Sequence, residues 1–509
     1  MRRSTLRRLH GWIGLPCCLL LIAFCVSGIA LNHREALADY DLSRRWLPEQ
    51  YHYHNWDQGL MRGTLRGQLA DYSSHGRKTT DQASGSDVVW IYGNAGIWRT
   101  DTRGHNVQSD SQGMPVGIDH RNVRAMIMLP TAEQWALTPT AIYRRPAPTA
   151  PWQAAVPAPA DARWTDLTLR GDSLIALSRS GAQFSLPPYR NWTPLALPHA
   201  ADEDGQVSLF RTLWLLHSGA LFGTAGRWLM DAVALVLIAL SLTGITLFCF
   251  PRLLQRMRPG DARRSVARGY ASHLRWHNRL GRRTIVLTLL VVATGWALRP
   301  PLLLALVGID VPRLPLTAVD TPNLWDDRLR MLRWDARAGE FLLSTSSGFY
   351  RFGEFGQVPQ PVDAPPVSVM GLNVWERHAG GWLIGSFGGI YHWDRAAGRS
   401  TDWLTGLPAP SRLGNPFGRT AVAGFSRDFV GLDGRPLSLV VEHFGGTPLL
   451  PQPEAMRHLP ISLWNAALEL HNGRLYTFLV EPALFFIFLA GAMVLVVLYS
   501  GWRLRKAPS

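Results

Sequence analysis

The chain has 509 residues, a formal net charge of +15 and four cysteines. Its mean hydropathy is near zero, but this averages long apolar runs with very polar stretches and so excludes one uniform soluble domain. The arginine excess flanks the apolar runs, which points to membrane topology and away from nucleic acid.

Crossing the hydrocarbon core as a helix takes about 20 consecutive apolar residues, and four windows satisfy this: Trp12–Leu31, Trp228–Phe250, Thr284–Val307 and Phe478–Leu498. Residues 1–11 read as a basic tail with Arg2, Arg3, Arg7 and Arg8, and 12–32 as the first span. A signal peptide is the rival for that span, but its apolar run is long and no clean small-x-small cleavage site follows. Residues 33–213 form a long connection and 214–250 the second span. The short loop 251–279 carries Arg252, Arg256, Arg258, Arg263, Arg264, Arg268, Arg275 and Arg279. Residues 280–307 are the third span, 308–470 a second long connection, 471–502 the fourth span, and 503–509 a tail with Arg503, Arg505 and Lys506. Positive segments stay inside, so both termini and the arginine loop are expected in the cytoplasm of a bacterial inner membrane, with both long connections on the periplasmic side.

The cysteines Cys17, Cys18, Cys25 and Cys249 all fall in the spans, so the long connections contain no thiol and must fold by burial alone. Both contain short apolar runs with a central turn: Trp90–Trp98, Trp135–Tyr143, Ile175–Phe184, Leu342–Tyr350 and Trp382–Tyr391, with a further copy near Phe425. Each reads as a β-hairpin. Their recurrence about every 40–45 residues matches a four-stranded propeller blade; two readings stay open, one propeller-like ring shared by both segments or ordinary meanders in separate domains. The Pro-rich stretches Pro146–Pro159 and Pro359–Pro366 read as loops between units. No catalytic triad, metal-ligand spacing or phosphate loop stands out in either segment.

The membrane part is duplicated. Leu9-His10, Gly14 and Ser27-Gly28-Ile29-Ala30-Leu31 match Trp276-His277, Gly281 and Thr294-Gly295-Trp296-Ala297-Leu298 without a gap, and Leu216-His217-Ser218-Gly219 parallels Leu470-His471-Asn472-Gly473. Thr243-Gly244 meets Ser500-Gly501 after a three-residue shift. Two spans per half return the chain to one side, giving parallel repeats about an axis along the membrane normal. The fold class is therefore integral membrane α plus β, a four-helix bundle with a β-rich region inserted twice.

This placement sets His10 and His277 at the inner edge, with His273 one turn before His277, and His33, His217 and His471 at the outer edge. Ionisable groups there are costly unless they face the bundle interior, and paired neutral imidazoles are axial haem ligands. Symmetry pairs His10 with His277 and His217 with His471. His33 aligns with Pro300 and so has no counterpart; it is a substitute ligand, or a contact for a propionate or substrate. Histidines at membrane edges also simply sit among headgroups beside Trp12, Trp214 and Trp276, and it is the repeat that favours ligation. Gly14, Gly28, Gly244, Gly281 and Gly295 let helices approach or clear room for a flat porphyrin. Asp231 and Glu481 sit near the outer edge, where a proton or cation role stands beside the expectation that they are solvated or paired with Arg227 and Arg474.

The run Arg8-Leu9-His10-Gly11-Trp12-Ile13-Gly14, followed by Ser27 to His33, Leu216-His217-Ser218-Gly219 and Thr243-Gly244, resembles the PepSY-associated transmembrane helix family. The resemblance implies an inner-membrane reductase of ferric siderophores with two b-type haems. It carries His10, His33 and His217 directly, and His277 and His471 through the repeat. Electrons would pass from the inner to the outer haem and on to a ferric chelate, releasing iron. The arginine loop is too short for a nicotinamide or flavin domain, so the donor would be a quinol or a separate reductase. The rival is a cofactor-free, membrane-anchored binding or regulatory protein. His10 and His33 lie 23 residues apart, roughly 35 Å along a helix, which is long for one electron step.

Overall fold

The computed structural model describes all residues except 1–2, 70–85, 160–161, 369–370, 412–419, 432, 477–482 and 506–509. Arg2, Phe478, Glu481 and Lys506 therefore lie outside the described residues. The chain divides into two compact units, one of residues 1–37, 204–322 and 463–509, the other of 38–203 and 323–462.

The first unit is helical. Among the described residues, four helices are long and apolar enough to cross a membrane. They lie in α1 (Arg3–Asn32), α3 (Gly223–Arg256), α4 (Asp261–Ala297) and α6 (Ala483–Arg505), with α2 (Leu209–Ser218) and α5 (Leu463–Asn472) each preceding a long helix. α1 packs on α3 and α6, and α4 packs on the same two.

Four expected boundaries change. The loop of 251–279 is mostly helix: α3 runs to Arg256 and α4 begins at Asp261, leaving only 257–260 between them. Arginine and alanine are good helix formers, and a hydropathy window registers only that the segment is polar. The third span ends at Ala297 rather than 307, because Pro300 and Pro301 cannot donate to a helical ladder. The second and fourth spans are not continuous from 214 and 471. α2 stops at Gly219 with φ 80°, one 3-10 turn follows (Ala220–Phe222), and only then does α3 start. A Cβ on Gly219 would lie 2.2 Å from the carbonyl oxygen of Gly226, so both the left-handed backbone and the close approach demand glycine. Gly473, with φ 77°, ends α5 in the same way before the turn Arg474–Tyr476.

The second unit is β-rich, with five four-stranded antiparallel sheets and two two-stranded ones among the described residues. The expected hairpins form the second and third strands of the four-stranded sheets: Ser86–Gly93 with Gly96–Asp101, Gln134–Leu137 with Ala141–Arg145, Ser173–Ser178 with Ala182–Ser185, Glu340–Thr345 with Phe349–Phe352, and Gly381–Ser386 with Gly389–Asp394. The copy near Phe425 is a two-stranded sheet, Val422–Val430 with Pro436–Glu442. The Pro-rich stretches are not purely loops, since each supplies a fourth, edge strand, Gln153–Pro157 and Gln360–Val362, where a missing N–H is tolerated. Among the described residues no sheet closes on itself. The sheets pack through apolar layers such as Val88, Trp90, Met126, Ala136 and Trp152. One charge pair is deeply buried: Arg145 donates to Asp110 at 2.7 Å, beside the Trp90 indole donating to the same carboxylate at 2.8 Å.

Two imidazole pairs on Ser/Thr-Gly steps

Each long helix carries a Ser/Thr-Gly step, and each step meets one histidine of another helix. His471 of α5 sets its Nδ1 3.1 Å from the Ser27 hydroxyl and 3.0 Å from the Phe24 carbonyl, both on α1. His217 of α2 does the same on α4, 3.2 Å from Thr294 Oγ1 and 3.1 Å from the Val291 carbonyl. At the arginine-rich end, His10 of α1 lies 2.9 Å from Ser500 Oγ and 3.2 Å from the Val497 carbonyl of α6. His277 of α4 lies 2.9 Å from Thr243 Oγ1 of α3.

The tautomer follows. A carbonyl only accepts, so Nδ1 of His471, His217 and His10 must carry the proton. The hydroxyls agree, because each donates to its own helix: Ser27 to Ala23 at 2.7 Å, Thr294 to Leu290 at 2.8 Å, Ser500 to Val497 at 2.9 Å and Thr243 to Ala239 at 2.7 Å. With its proton spent, each hydroxyl accepts from imidazole. Every ring therefore offers a bare Nε2 lone pair, which has no protein partner among the described residues. Fixing one ring nitrogen as a donor so that the other can ligate is the usual support of metal-bound histidine.

The glycines of the steps make room for the rings. A Cβ on Gly295 would lie 2.7 Å from His217 Cε1, on Gly28 3.3 Å from His471 Cε1, and on Gly501 3.2 Å from His10 Cε1. Gly244 is looser, with Cys18 Sγ at 3.2 Å and His277 Cε1 at 3.8 Å.

The rings then meet in pairs, His10 with His277 at 6.3 Å between centroids and His217 with His471 at 6.0 Å. Two imidazoles on opposite sides of one metal, with bonds of about 2 Å and ring nitrogens about 1.1 Å from each ring centre, stand about 6 Å apart. Gly14, one turn from His10, is buried, yet a Cβ there would meet nothing within 4 Å, so open space lies beside it. Paired lone pairs and matching spacing fit a metal held between the two imidazoles of each pair, and the open space at Gly14 fits a flat group beside the His10 pair.

The structure brings together His10, His277, His217 and His471 and sets His33 apart. His33 Nε2 lies 2.8 Å from Asp231, whose other oxygen accepts from Asn32 at 2.8 Å. Asp231 is thus buried between Asn32 and His33, not solvated or paired with Arg227, and Arg474 pairs with Glu469 at 3.1 Å. The far pair sits at Ser27, 17 residues from His10, so the two levels are about 25 Å apart along α1, closer than the His33 position suggested. His273 has a partner of its own, Thr246 Oγ1 at 2.6 Å. Arg299 donates to Asn472 Oδ1 at 2.6 Å and to the His471 carbonyl at 3.3 Å, placing a cation beside the far pair. The recurring Ser/Thr-Gly dipeptide was the sequence signal for the hydroxyl partners; Arg299 had none.

Membrane-length helices, paired imidazoles and a β-rich unit define a polytopic membrane protein. The chain belongs to the family described as PepSY-associated TM region, whose model matches residues 7–505. No curated protein matches it in sequence. Two solved structures of the extracellular domain of BT4673 from B. thetaiotaomicron are similar at 10% identity. One has a TM-score of 0.33 and covers 70% of this chain and 29% of that one; the other has a TM-score of 0.29 and covers 71% and 36%. The chain thus spans about a third of their length.

Proposed function

We propose that this chain is a di-haem reductase of the bacterial inner membrane that passes electrons outward to a periplasmic ferric chelate, such as a ferric siderophore. One observation carries the reading: four histidines in two pairs, each with Nδ1 tied to a Ser/Thr-Gly step and Nε2 left bare. His10 and His277 would hold one b-type haem and His217 and His471 the other. When bound, the haems supply one-electron redox steps at two depths of the bilayer. The chain's own residues hold the imidazoles neutral and oriented, and Gly14 leaves space beside the inner pair. Arg299 stands where a propionate of the outer group would meet a cation.

The arginine-rich end would face the cytoplasm with both termini. The link between α3 and α4 is only 257–260, too short to hold a nicotinamide or flavin domain, so the donor would be a quinol or a separate reductase. The β-rich unit would lie in the periplasm as a six-bladed, propeller-like ring. Support for that comes from the first strands of successive sheets, which pack in turn: Gly63–Leu69 on Ala125–Met128, that on Trp164–Arg170, and that on Leu329–Asp335. Arg333 donates to the Trp375 carbonyl of the next sheet, and Val422–Val430 packs on both Val374–His378 and Gly63–Leu69.

The test is optical. Dithionite-reduced protein in detergent should show the sharp bands of low-spin b-type haem and lose them when a ferric chelate is added, with ferrous iron appearing in step. Colourless protein, or reduced haem indifferent to every ferric chelate, would contradict the reading.

A further inference from the structure

The β-rich unit holds a partly open cavity of about 230 Å³ lined from several of its sheets, by Arg62, Tyr92, Arg124, Arg333, Glu376 and Phe425 among others. Its polar groups are incompletely matched. Arg333 is satisfied, donating to Asp166 at 2.6 Å. Arg62 is not: its guanidinium reaches only neutral oxygens, Asn122 Oδ1 at 3.2 Å and the Val123 carbonyl at 3.0 Å, and no carboxylate stands within ion-pair distance among the described residues. Among the described residues Glu376, on the same cavity, has neither an ion pair nor a side-chain hydrogen bond, and the Tyr92 hydroxyl likewise has no hydrogen-bond partner. Burial lowers the Arg62 pKa and raises those of Glu376 and Tyr92. An unpaired cation in such a place is expensive, and a carboxyl and a phenol that make no hydrogen bond there leave polar groups unmatched.

We propose that this cavity binds a small organic acid, with a carboxylate on Arg62 and a further carboxyl or hydroxyl group toward Tyr92 and Glu376. A ligand with a carbon body suits the lining: the cavity exceeds the roughly 150 Å³ that holds benzene, and Leu167, Met331, Val374 and Phe425 line it along with the charged groups. Inorganic phosphate would reach Arg62 and leave the rest unfilled. The site does not depend on the haem reading, and either can fail alone.

Calorimetric titration of the full chain in detergent with citrate and malate, against phosphate at equal ionic strength, tests this. Saturable binding of one or both organic acids is expected. Arg62→Gln should weaken it about tenfold or more, the loss of one charge-assisted hydrogen bond. Arg66→Gln, at an exposed arginine paired with Asp87, should bind as the parent does. Tyr92→Phe removes only a hydroxyl and gives a second reading if Arg62→Gln folds poorly; it should weaken binding severalfold. Absence of saturable binding, phosphate binding as tightly as both acids, or Arg62→Gln and Tyr92→Phe both binding like the parent would overturn the proposal.

Discussion

His471 Nδ1 and the hydroxyl of Ser27 lie 3.1 Å apart, and Ser27 spends its own proton on the carbonyl of Ala23. The serine therefore accepts, the imidazole donates, and His471 Nε2 is left with a lone pair. The same logic holds for His217 on Thr294, His10 on Ser500 and His277 on Thr243. One dipeptide, used four times, sets the chemistry of the bundle.

Removing one hydroxyl should therefore loosen one site. Thr294→Val keeps the shape and deletes an acceptor from His217. Losing the hydrogen bond that orients a ligating imidazole costs about 10–100-fold in metal affinity. Haem retention during dilution should fall at the outer site, with the inner site unchanged; loss at both sites alike would argue for a general packing defect.

The glycines give a graded series. Gly295→Ala would push a methyl to 2.7 Å from His217, whereas Gly244→Ala meets its nearest atom, Cys18 Sγ, at 3.2 Å. Overpacking costs about 1–3 kcal/mol, so thermal unfolding of the helical unit should drop more for Gly295→Ala, and only that variant should disturb its pair's spectrum.

His33 separates ligation from structural support. Its imidazole is engaged by buried Asp231. His33→Ala should leave both haems bound and cost about 1–3 kcal/mol through the carboxylate left partly unsatisfied. A haem count that falls by one in this variant would return His33 to the ligand set.

Asp57 gives the β-rich unit a pH dependence. It is buried, and burial pushes its carboxyl up to about 6, against a partial counter-effect from the His54 backbone N–H. The neutral form is favoured in the fold, so its contribution is full below the unfolded value near 4 and is lost as pH rises through about 6. Asp57→Asn, which keeps the acceptor for His54, should raise the melting temperature of this unit at pH 8 and not at pH 4. The gap should be about 2–4 °C, from about 1 kcal/mol after allowance for residual hydration.

Much of this was legible in the sequence because it depends on length and spacing. Twenty apolar residues announce a span wherever they occur, and the repeat pairs His10 with His277 through spacing alone. The hairpins showed through alternating aromatic and aliphatic residues around Gly and Ser-rich turns. What stayed hidden depends on neighbours or on backbone sign. Hydropathy does not register that Gly219 and Gly473 turn left-handed and set α2 and α5 off from the long helices, nor that arginines at 261–283 continue a helix. The partnership of Asp231 with His33 joins residues 198 apart in sequence and needed the packing of α1 on α3.

The most direct measurement is haem per chain in purified parent protein and in single alanine variants of the four paired histidines. The account expects two in the parent, one after His10→Ala or His277→Ala with the outer site's spectrum retained, and one after His217→Ala or His471→Ala with the inner site's retained. A parent protein without haem, or variants that all keep the parental content, would contradict it.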